Sequence, residues 1–508
     1  MTDSSGGFLL GIDLGGSGCK VSVLDRDGHL LSETRAAYPT VRLQPGWAEQ
    51  DADDWVAAAA VACREALARA GSSRALAVSV SSATHNAVLL DASGRPVRPA
   101  ILLSDLRAAP QAERLDREDG ELVFRLTRNR VIAGWTLPQL RWVVENEPDA
   151  WMAVRRVVFA KDHLRAQLTG DAVTDWIDAE GSLLLDAEAR RWSPELCSLV
   201  PLEETMLPRV VSPLEIAGEV TEPAAAAFGI PAGTPVVVGC SDTAAEAVAC
   251  GANQPGMGVV KIATAGNVNV VTQTSRPSPK YFTYSHPVDG LSYHSYGTSA
   301  AAASRDWLDG LLGLSTSDPR VEEELKRVSP GSEGLLFHPY LYGERAPVFD
   351  PTLRASFIGL AAHHGRSHLV RAVIEGVALS LAECVSEARV AGLAPDELRL
   401  VGGGARSDVW AQVVADALGA DLTRPVLADA SAGAALLGGL GAGILELSDV
   451  LRIAARPQGR ITPDPAVHEL YLRLLDVYRD ARERIAPVTR ALASASAPRS
   501  PPSSPGDQ

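Results

Sequence analysis

At 508 residues, with 46% hydrophobic and 21% charged side chains, the chain is long enough for two or more hydrophobic cores, since single cores stop growing at roughly 250–300 residues. A formal net charge of −15 argues against a phosphate-backbone partner, which calls for a basic face, so no nucleic acid is expected. The six cysteines are scattered without a C-x-x-C or a histidine at ligand spacing, which argues against structural zinc. No basic region followed by an apolar run opens the chain, and the apolar stretch Ala432 to Leu445 is shorter than the ~20 residues a membrane span needs. A cytoplasmic protein with no membrane contact is the expectation.

In chain order, Phe8 to Leu14 and Lys20 to Leu24 read as strands joined by a glycine turn inside Gly11-Ile12-Asp13-Leu14-Gly15-Gly16-Ser17-Gly18-Cys19-Lys20. Glycine lacks Cβ and accepts φ > 0, so such a turn lets backbone N–H groups approach an anion. Gly15, Gly16, Ser17 and Lys20 are therefore candidate nucleotide-phosphate contacts, with an ordinary hairpin as the alternative. An Ala-rich helix, Asp53 to Ala70, and a strand, Ala75 to Ser81, complete an α/β alternation. Thr84 and His85 follow that strand, and Asp105 and Arg107 lie at the end of the next. These four are candidates for hydrogen bonding a polyol, against the reading of a structural histidine and a surface ion pair.

Helix signals dominate from Leu137 to Gly170, and a Pro/Leu-rich connection leads to the strand Pro235 to Gly239. Asp242 then stands at a strand's carboxyl end, where open α/β sheets bind ligands. It could merely cap the following helix, but Thr243 with Glu246 forms a plausible capping box and leaves Asp242 able to accept a proton from a hydroxyl that attacks a phosphoryl group. A second glycine hairpin, Gly258 to Thr272, carries Lys261-Ile262-Ala263-Thr264-Ala265-Gly266-Asn267, with Ala263 in the place of Asp13. That asymmetry predicts metal or catalysis served by the first half and nucleotide phosphates by the second. Helices follow at Ala300 to Leu312 and Arg366 to Ala391, and the strand Leu398 to Val401 ends in Gly402-Gly403-Gly404 before Ser407. The predicted organisation is an N-terminal lobe over 1–252, a C-terminal lobe over 253–490 and a disordered Pro/Ser-rich tail over 491–508.

Several segments together resemble the FGGY carbohydrate kinases, from Phe8 to about Arg490. Ala355-Ser356-Phe357-Ile358-Gly359-Leu360 with His368-Leu369 and Ala372-Val373-Ile374-Glu375 agrees with that family's C-terminal signature at every constrained position. Pro45 to Asp51, Gly343-Glu344-Arg345-Ala346-Pro347, Gly402 to Ser407, and Thr174-Asp175 with Asp178-Ala179 look like further family segments. The resemblance implies two actin-like, ribonuclease-H-like lobes around a central cleft and transfer of the γ-phosphoryl of MgATP to a sugar or polyol. It implies Asp242 as general base, Asp13 as the residue that helps hold Mg²⁺, Thr264 and Gly266 at the β/γ-phosphates, and Gly403, Gly404 and Ser407 near the α-phosphate and adenosine. Ala87 to Asp91 and Arg98 to Leu102 look most like xylulose kinases, although Thr84-His85 and Leu103-Ser104-Asp105 stand where those carry Met-His and Trp-Asn-Asp. D-xylulose is the expected acceptor. The alternatives are gluconate, ribulose, L-xylulose or an erythritol-like polyol, or a non-catalytic actin-like sensor of sugar or nucleotide, and a homodimer is left open.

Overall fold

The computed structural model describes residues 7–71, 74–315 and 319–496. Strand β1 (Phe8–Leu14) is buried along its whole length, as a central strand covered on both faces must be. It pairs antiparallel with β2 (Gly18–Leu24), which places Asp13 opposite Lys20. Strand β3 (Leu30–Ala37) adds an edge. Helix α1 (Ala52–Ala70) starts at Asp51, whose carboxylate accepts from the Asp53 N–H, ends at left-handed Gly71, and buries Trp55, Ala59, Ala62 and Ala66. Strand β4 (Ala75–Ser82) returns parallel to β1 with Ser81 opposite Asp13. After α2 (Ala160–Thr169), α3 (Trp176–Gly181) and β5 (Ile216–Glu219), strand β6 (Pro235–Val237) runs parallel to β4 and feeds α4 (Asp242–Ala249). The six-stranded sheet has the order β5-β6-β4-β1-β2-β3.

The second glycine hairpin forms β7 (Met257–Ile262) and β8 (Gly266–Thr272), followed by β9 (Phe282–Ser285), β10 (Ser292–Gly297), β11 (Glu397–Val401), β12 (Leu422–Pro425) and β13 (Pro457–Ile461). They make a seven-stranded sheet ordered β9-β10-β8-β7-β11-β12-β13. Among the helices that follow β10 are α5 (Arg366–Val390), α6 (Asp408–Leu418), α7 (Ala430–Gly441), which packs on the six-stranded sheet, and α8 (Pro465–Ser496).

Three details differ from the sequence reading. The helical run expected over 137–170 is broken into Thr136–Asn146, Pro148–Ala153 and α2, with a strand at Arg156–Phe159, because Pro148 pushes Glu147 out of helical geometry. Helix α4 is capped by Ser241, whose hydroxyl accepts from the Ala244 N–H, and not by the expected Thr243–Glu246 capping box. Residues 491–496 continue α8, and the rest of the predicted tail, 497–508, lies outside the described residues.

The chain forms two compact units that are discontinuous in sequence. One comprises Met1–Val259, Asn269–Ser295 and Arg424–Gly459. Its seam is α7, a helix of Ala, Gly, Ser and three Leu whose backbone touches β1 and α4 at its small residues. A Cβ on Gly11 would overlap the Ser431 carbonyl, and one on Gly433 would overlap the Ala245 carbonyl. The other unit comprises Val260–Val268, Tyr296–Thr423 and Arg460–Gln508. There the Glu375 carboxylate of α5 accepts from Arg371 Nε at 2.7 Å, Tyr471 Oη at 2.8 Å and Ser332 Oγ at 2.9 Å, so one buried acid ties α5 to α8 and to the turn at Ser332.

Because the α7 seam is backbone against backbone, Gly433→Ala should lower stability by about 1–3 kcal/mol through overpacking. Gly16→Ala, where a Cβ meets open space, should stay within about 0.5 kcal/mol. Denaturant midpoints of the two variants check this; an equal effect would show that the seam has slack.

Candidate active site

The first unit brings two carboxylates to the carboxyl ends of parallel strands. Asp13 is the penultimate residue of β1, buried, and its Oδ1 accepts from Ser81 Oγ of β4 at 2.8 Å. Asp242 enters from β6 through a sharp turn. Gly239 takes φ +75°, and a Cβ there would overlap the Val80 carbonyl, so only glycine lets the β6 end lie against β4. Ser241 then bridges to Ser82, which leaves Asp242 as the first residue of α4, half-buried, its Oδ1 accepting the Thr243 N–H at 2.6 Å. With Ser241 capping the helix, the carboxylate of Asp242 has no capping duty beyond its neighbour. Because β4 lies between β1 and β6, the two acids share one edge of one sheet.

The first glycine turn is held by its carbonyls. Tyr38 Oη donates to the Gly15 oxygen, and Gln50 Nε2 donates to the Gly16 oxygen at 2.9 Å. Neither Gly15 nor Gly16 takes positive φ, so what glycine supplies here is the open space above Gly16 rather than left-handed backbone, a correction to the expected reason. Ser17 Oγ accepts from Arg35 at 2.6 Å, and Lys20 Nζ is paired with Asp429 Oδ2 at 2.5 Å. Asp429 also caps α7, and Ser431 Oγ meets Ser22 Oγ at 2.7 Å, so α7 is fastened to β2 beside the turn.

Thr84 and His85 form the turn after β4. His85 takes φ +72° and is 2% exposed, its ring stacked on Trp135 at 4.4 Å between centroids and its Nε2 3.2 Å from Tyr284 Oη. Gly181 packs on the ring so closely that a Cβ would overlap it. The buried Nδ1 has no hydrogen-bond partner among the described residues. Burial depresses the His85 pKa to about 3, so the imidazole is neutral. Asp105 and Arg107 form a buried pair, not the surface pair considered above. The Arg107 fork clamps Asp105 (Nη2 to Oδ2 2.8 Å), reaches Glu49 at 2.6 Å, and lies 3.8 Å over the Trp47 ring. Asp105 also accepts the Ala48 and Arg107 backbone N–H groups.

In the second unit, Thr264 is exposed at the tip of the β7–β8 turn, and its carbonyl accepts from Ala301 N at 2.9 Å. The Gly266 N–H donates to Thr298 Oγ1 at 3.1 Å. Gly402, with φ +93°, and Gly404 pack against Ile262 of β7, whereas a Cβ on Gly403 would meet open space. Ser407 caps α6 by accepting from Trp410 N at 3.0 Å and donates to Glu322.

Sequence reasoning missed Ser81, the partner of Asp13; Asp429, the partner of Lys20; and a buried charge cluster around Lys161. A detectable signal existed only for Asp429, an N-cap residue opening a helix of small residues at Asp429-Ala430-Ser431-Ala432-Gly433.

Residues 8–249 match the N-terminal domain, and residues 266–442 the C-terminal domain, of the FGGY family of carbohydrate kinases. A xylulose kinase of Lactococcus lactis is 31% identical over 493 residues, covering 96% of this chain and 98% of its own length. An L-xylulose/3-keto-L-gulonate kinase of Escherichia coli is 30% identical over 483 residues, covering 93% and 96% respectively. The crystal structure of a xylulose kinase from Rhodospirillum rubrum superposes with a TM-score of 0.87 at 29% identity, covering 95% of this chain and 99% of that one. The two actin-like lobes expected for the fold are those of these neighbours. The chain belongs to the FGGY family of carbohydrate kinases. It is an ATP-dependent phosphotransferase that acts on a carbohydrate. Among the described residues no helix is long and apolar enough to cross a membrane.

Since the His85 pKa is about 3 in the folded chain against ~6.5 when unfolded, folding excludes a proton. That contribution to stability is complete above pH ~6.5 and declines as pH falls toward 3. The His85 ring resonances should therefore not titrate between pH 5 and 8. His85→Asn, which tolerates the left-handed backbone, should lose less stability than the parent chain on going from pH 7 to pH 4 in urea unfolding; an equally steep loss would mean that His85 is protonated in the fold.

Proposed function

We propose that the chain transfers the γ-phosphoryl of MgATP to the terminal hydroxyl of a ketopentose, D-xylulose above others, giving D-xylulose 5-phosphate. The observation that carries this reading is the placement of Asp13 and Asp242 on one sheet edge, with Asp242 free of helix capping. Asp242 is the general base: its carboxylate takes the proton of the sugar hydroxyl as that oxygen attacks the γ-phosphorus, the bond to the bridging oxygen breaks, and ADP leaves. Asp13 offers a buried carboxylate oxygen, the hard donor that Mg²⁺ prefers, so the donor chemistry fits the metal. When bound, Mg²⁺ would neutralise charge on the phosphates. The turn at Gly15, Gly16 and Ser17 in the first unit, and separately Thr264 and Gly266 in the second, are the proposed phosphate contacts, and Lys20, paired with Asp429, sets the position of the first turn. Gly403 leaves open space suited to the α-phosphate and adenosine, with Gly404, packed on Ile262, and Ser407 beside it.

For the sugar, Thr84 and His85 are the proposed contacts, because the unpartnered Nδ1 of a neutral, rigidly stacked imidazole suits a sugar hydroxyl. Asp105 and Arg107 shape the same wall by fixing its loop. The relatives named xylulose kinase, about 30% identical over nearly the whole chain, support the pentulose. A second reading, L-xylulose or a sugar acid such as gluconate as acceptor, is favoured by the L-xylulose/3-keto-L-gulonate relative and by Leu103-Ser104.

ADP release measured across sugars, polyols and sugar acids tests the acceptor. D-xylulose should lead, and a competitor ahead by more than about tenfold in kcat/KM overturns the pentulose while leaving the kinase. Asp242→Asn keeps shape and removes the proton acceptor, so kcat should fall ~10²- to 10⁴-fold with sugar affinity much less changed; near-normal turnover rejects the base assignment. Asp13→Ala should shift the Mg²⁺ concentration needed for half-maximal rate upward, which an unchanged Mg²⁺ titration would contradict.

A further inference from the structure

Five charged side chains with no exposed surface lie behind the β6 end: Lys161, Asp162 and Arg165 of α2, Asp175 just before α3, and Asp178 within it. Lys161 Nζ stands 2.6 Å from Asp162, 2.7 Å from Asp175 and 3.1 Å from Asp178. Arg165 Nη2 donates to Asp162 Oδ1 at 3.0 Å and to the Val173 carbonyl, and its Nη1 donates to the Val238 carbonyl at 2.9 Å. Stability alone does not call for such a cluster, since apolar replacements of buried ion networks are often neutral or stabilising. A planar guanidinium fork does, however, fix the direction of the oxygen it holds in a way an apolar contact cannot.

The oxygen held here belongs to the last residue before the active-site turn. Val238 N donates to the Glu215 carbonyl and Gly239 N to the Pro213 carbonyl, each at 2.9 Å, so the peptide is fastened on both faces before the chain swings through left-handed Gly239. Three residues further on is Asp242. Rotation of the Val238–Gly239 peptide would redirect Ser241 and the start of α4.

We propose that Arg165 is a positioning residue for Asp242. Its guanidinium, braced by Asp162 and through it by Lys161, fixes the Val238 carbonyl and thereby the direction from which the Asp242 carboxylate meets the acceptor hydroxyl. The proposal rests on Asp242 being the base.

The test is a double-mutant cycle between Arg165→Lys and Asp242→Asn, read as kcat per folded site, KM for sugar and for ATP, and the thermal midpoint. Lysine keeps the charge and loses the fork. Arg165→Lys should lower kcat by ~10- to 100-fold, as small misplacements of a reacting group do, with both KM values within about twofold. In the Asp242→Asn background it should cost nothing further, because the two act through one group. Asp178→Asn, whose carboxylate is paired with Lys161 and whose backbone N–H meets Asp175, should leave kcat unchanged. If Arg165→Lys yields no folded protein, Arg165→Gln combined with Asp178→Asn removes one cation and one anion together, and the same cycle is run on that variant.

A loss of kcat that multiplies with that of Asp242→Asn, or an equal loss in Asp178→Asn, overturns the positioning role in favour of general support of the fold. Normal turnover of the folded Arg165 variant beside a crippled Asp242→Asn overturns the positioning role alone. Near-normal turnover of Asp242→Asn by itself overturns the base assignment and the proposal with it.

Discussion

The constraint on which the first unit depends is the contact of helix α7 with two other backbones. At Gly11 it presses on β1, the strand that carries Asp13, and at Gly433 on α4, the helix that begins with Asp242. A contact of backbone on backbone has no rotamers to take up a shift, so at these two points the seam transmits position with little slack. The N-terminal end of α7 is held by Lys20 against Asp429 and by Ser22 against Ser431. One helix of small residues thus sets the register of both carboxylate-bearing elements and of the glycine turn beside them.

The same economy of geometry recurs at the turns. Gly239 and Gly402 take positive φ where a strand end must lie against a neighbouring strand, whereas Gly16 and Gly403 have neither left-handed backbone nor close neighbours. The first pair serves packing and the second leaves room. A glycine motif in a sequence does not separate these duties, because both appear as the same letter, and only the surroundings of the missing Cβ distinguish them.

Periodicity and turn chemistry made the hairpins, α1, β4 and the strand into Asp242 readable from the sequence, because each is decided by residues within a few positions of one another. The two acids stood out for the same reason: an acid at a strand's end is a local feature. What stayed hidden depends on distant partners. The capping serine at 241 was passed over for Thr243 because two adjacent hydroxyl residues compete and only the observed φ/ψ decides. His85 showed as a lone histidine, while its neutrality follows from Trp135, Tyr284 and Gly181, which lie far along the chain. Asp105 and Arg107 stand two apart, which allows a pair, but the pair is buried by Trp47 and Glu49, and spacing does not give its exposure. The Lys161 cluster draws on residues from 161 to 178 whose charges, taken singly, look like ordinary surface groups.

The discontinuity of the first unit bears on how the chain is made. Synthesis proceeds from the N-terminus, and domains generally fold as they emerge. Yet the strands built by residue 82 lack their covering helix until residue 441 has been added, and the intervening chain includes two segments of the other unit, Val260–Val268 and Tyr296–Thr423. During that interval the face of β1 around Gly11 is an apolar surface without its lid, at the stage when nascent chains aggregate or recruit chaperones. Closure of the first unit is therefore a late, long-range event in biogenesis, and the two carboxylates reach their final spacing only after nearly all of the chain exists.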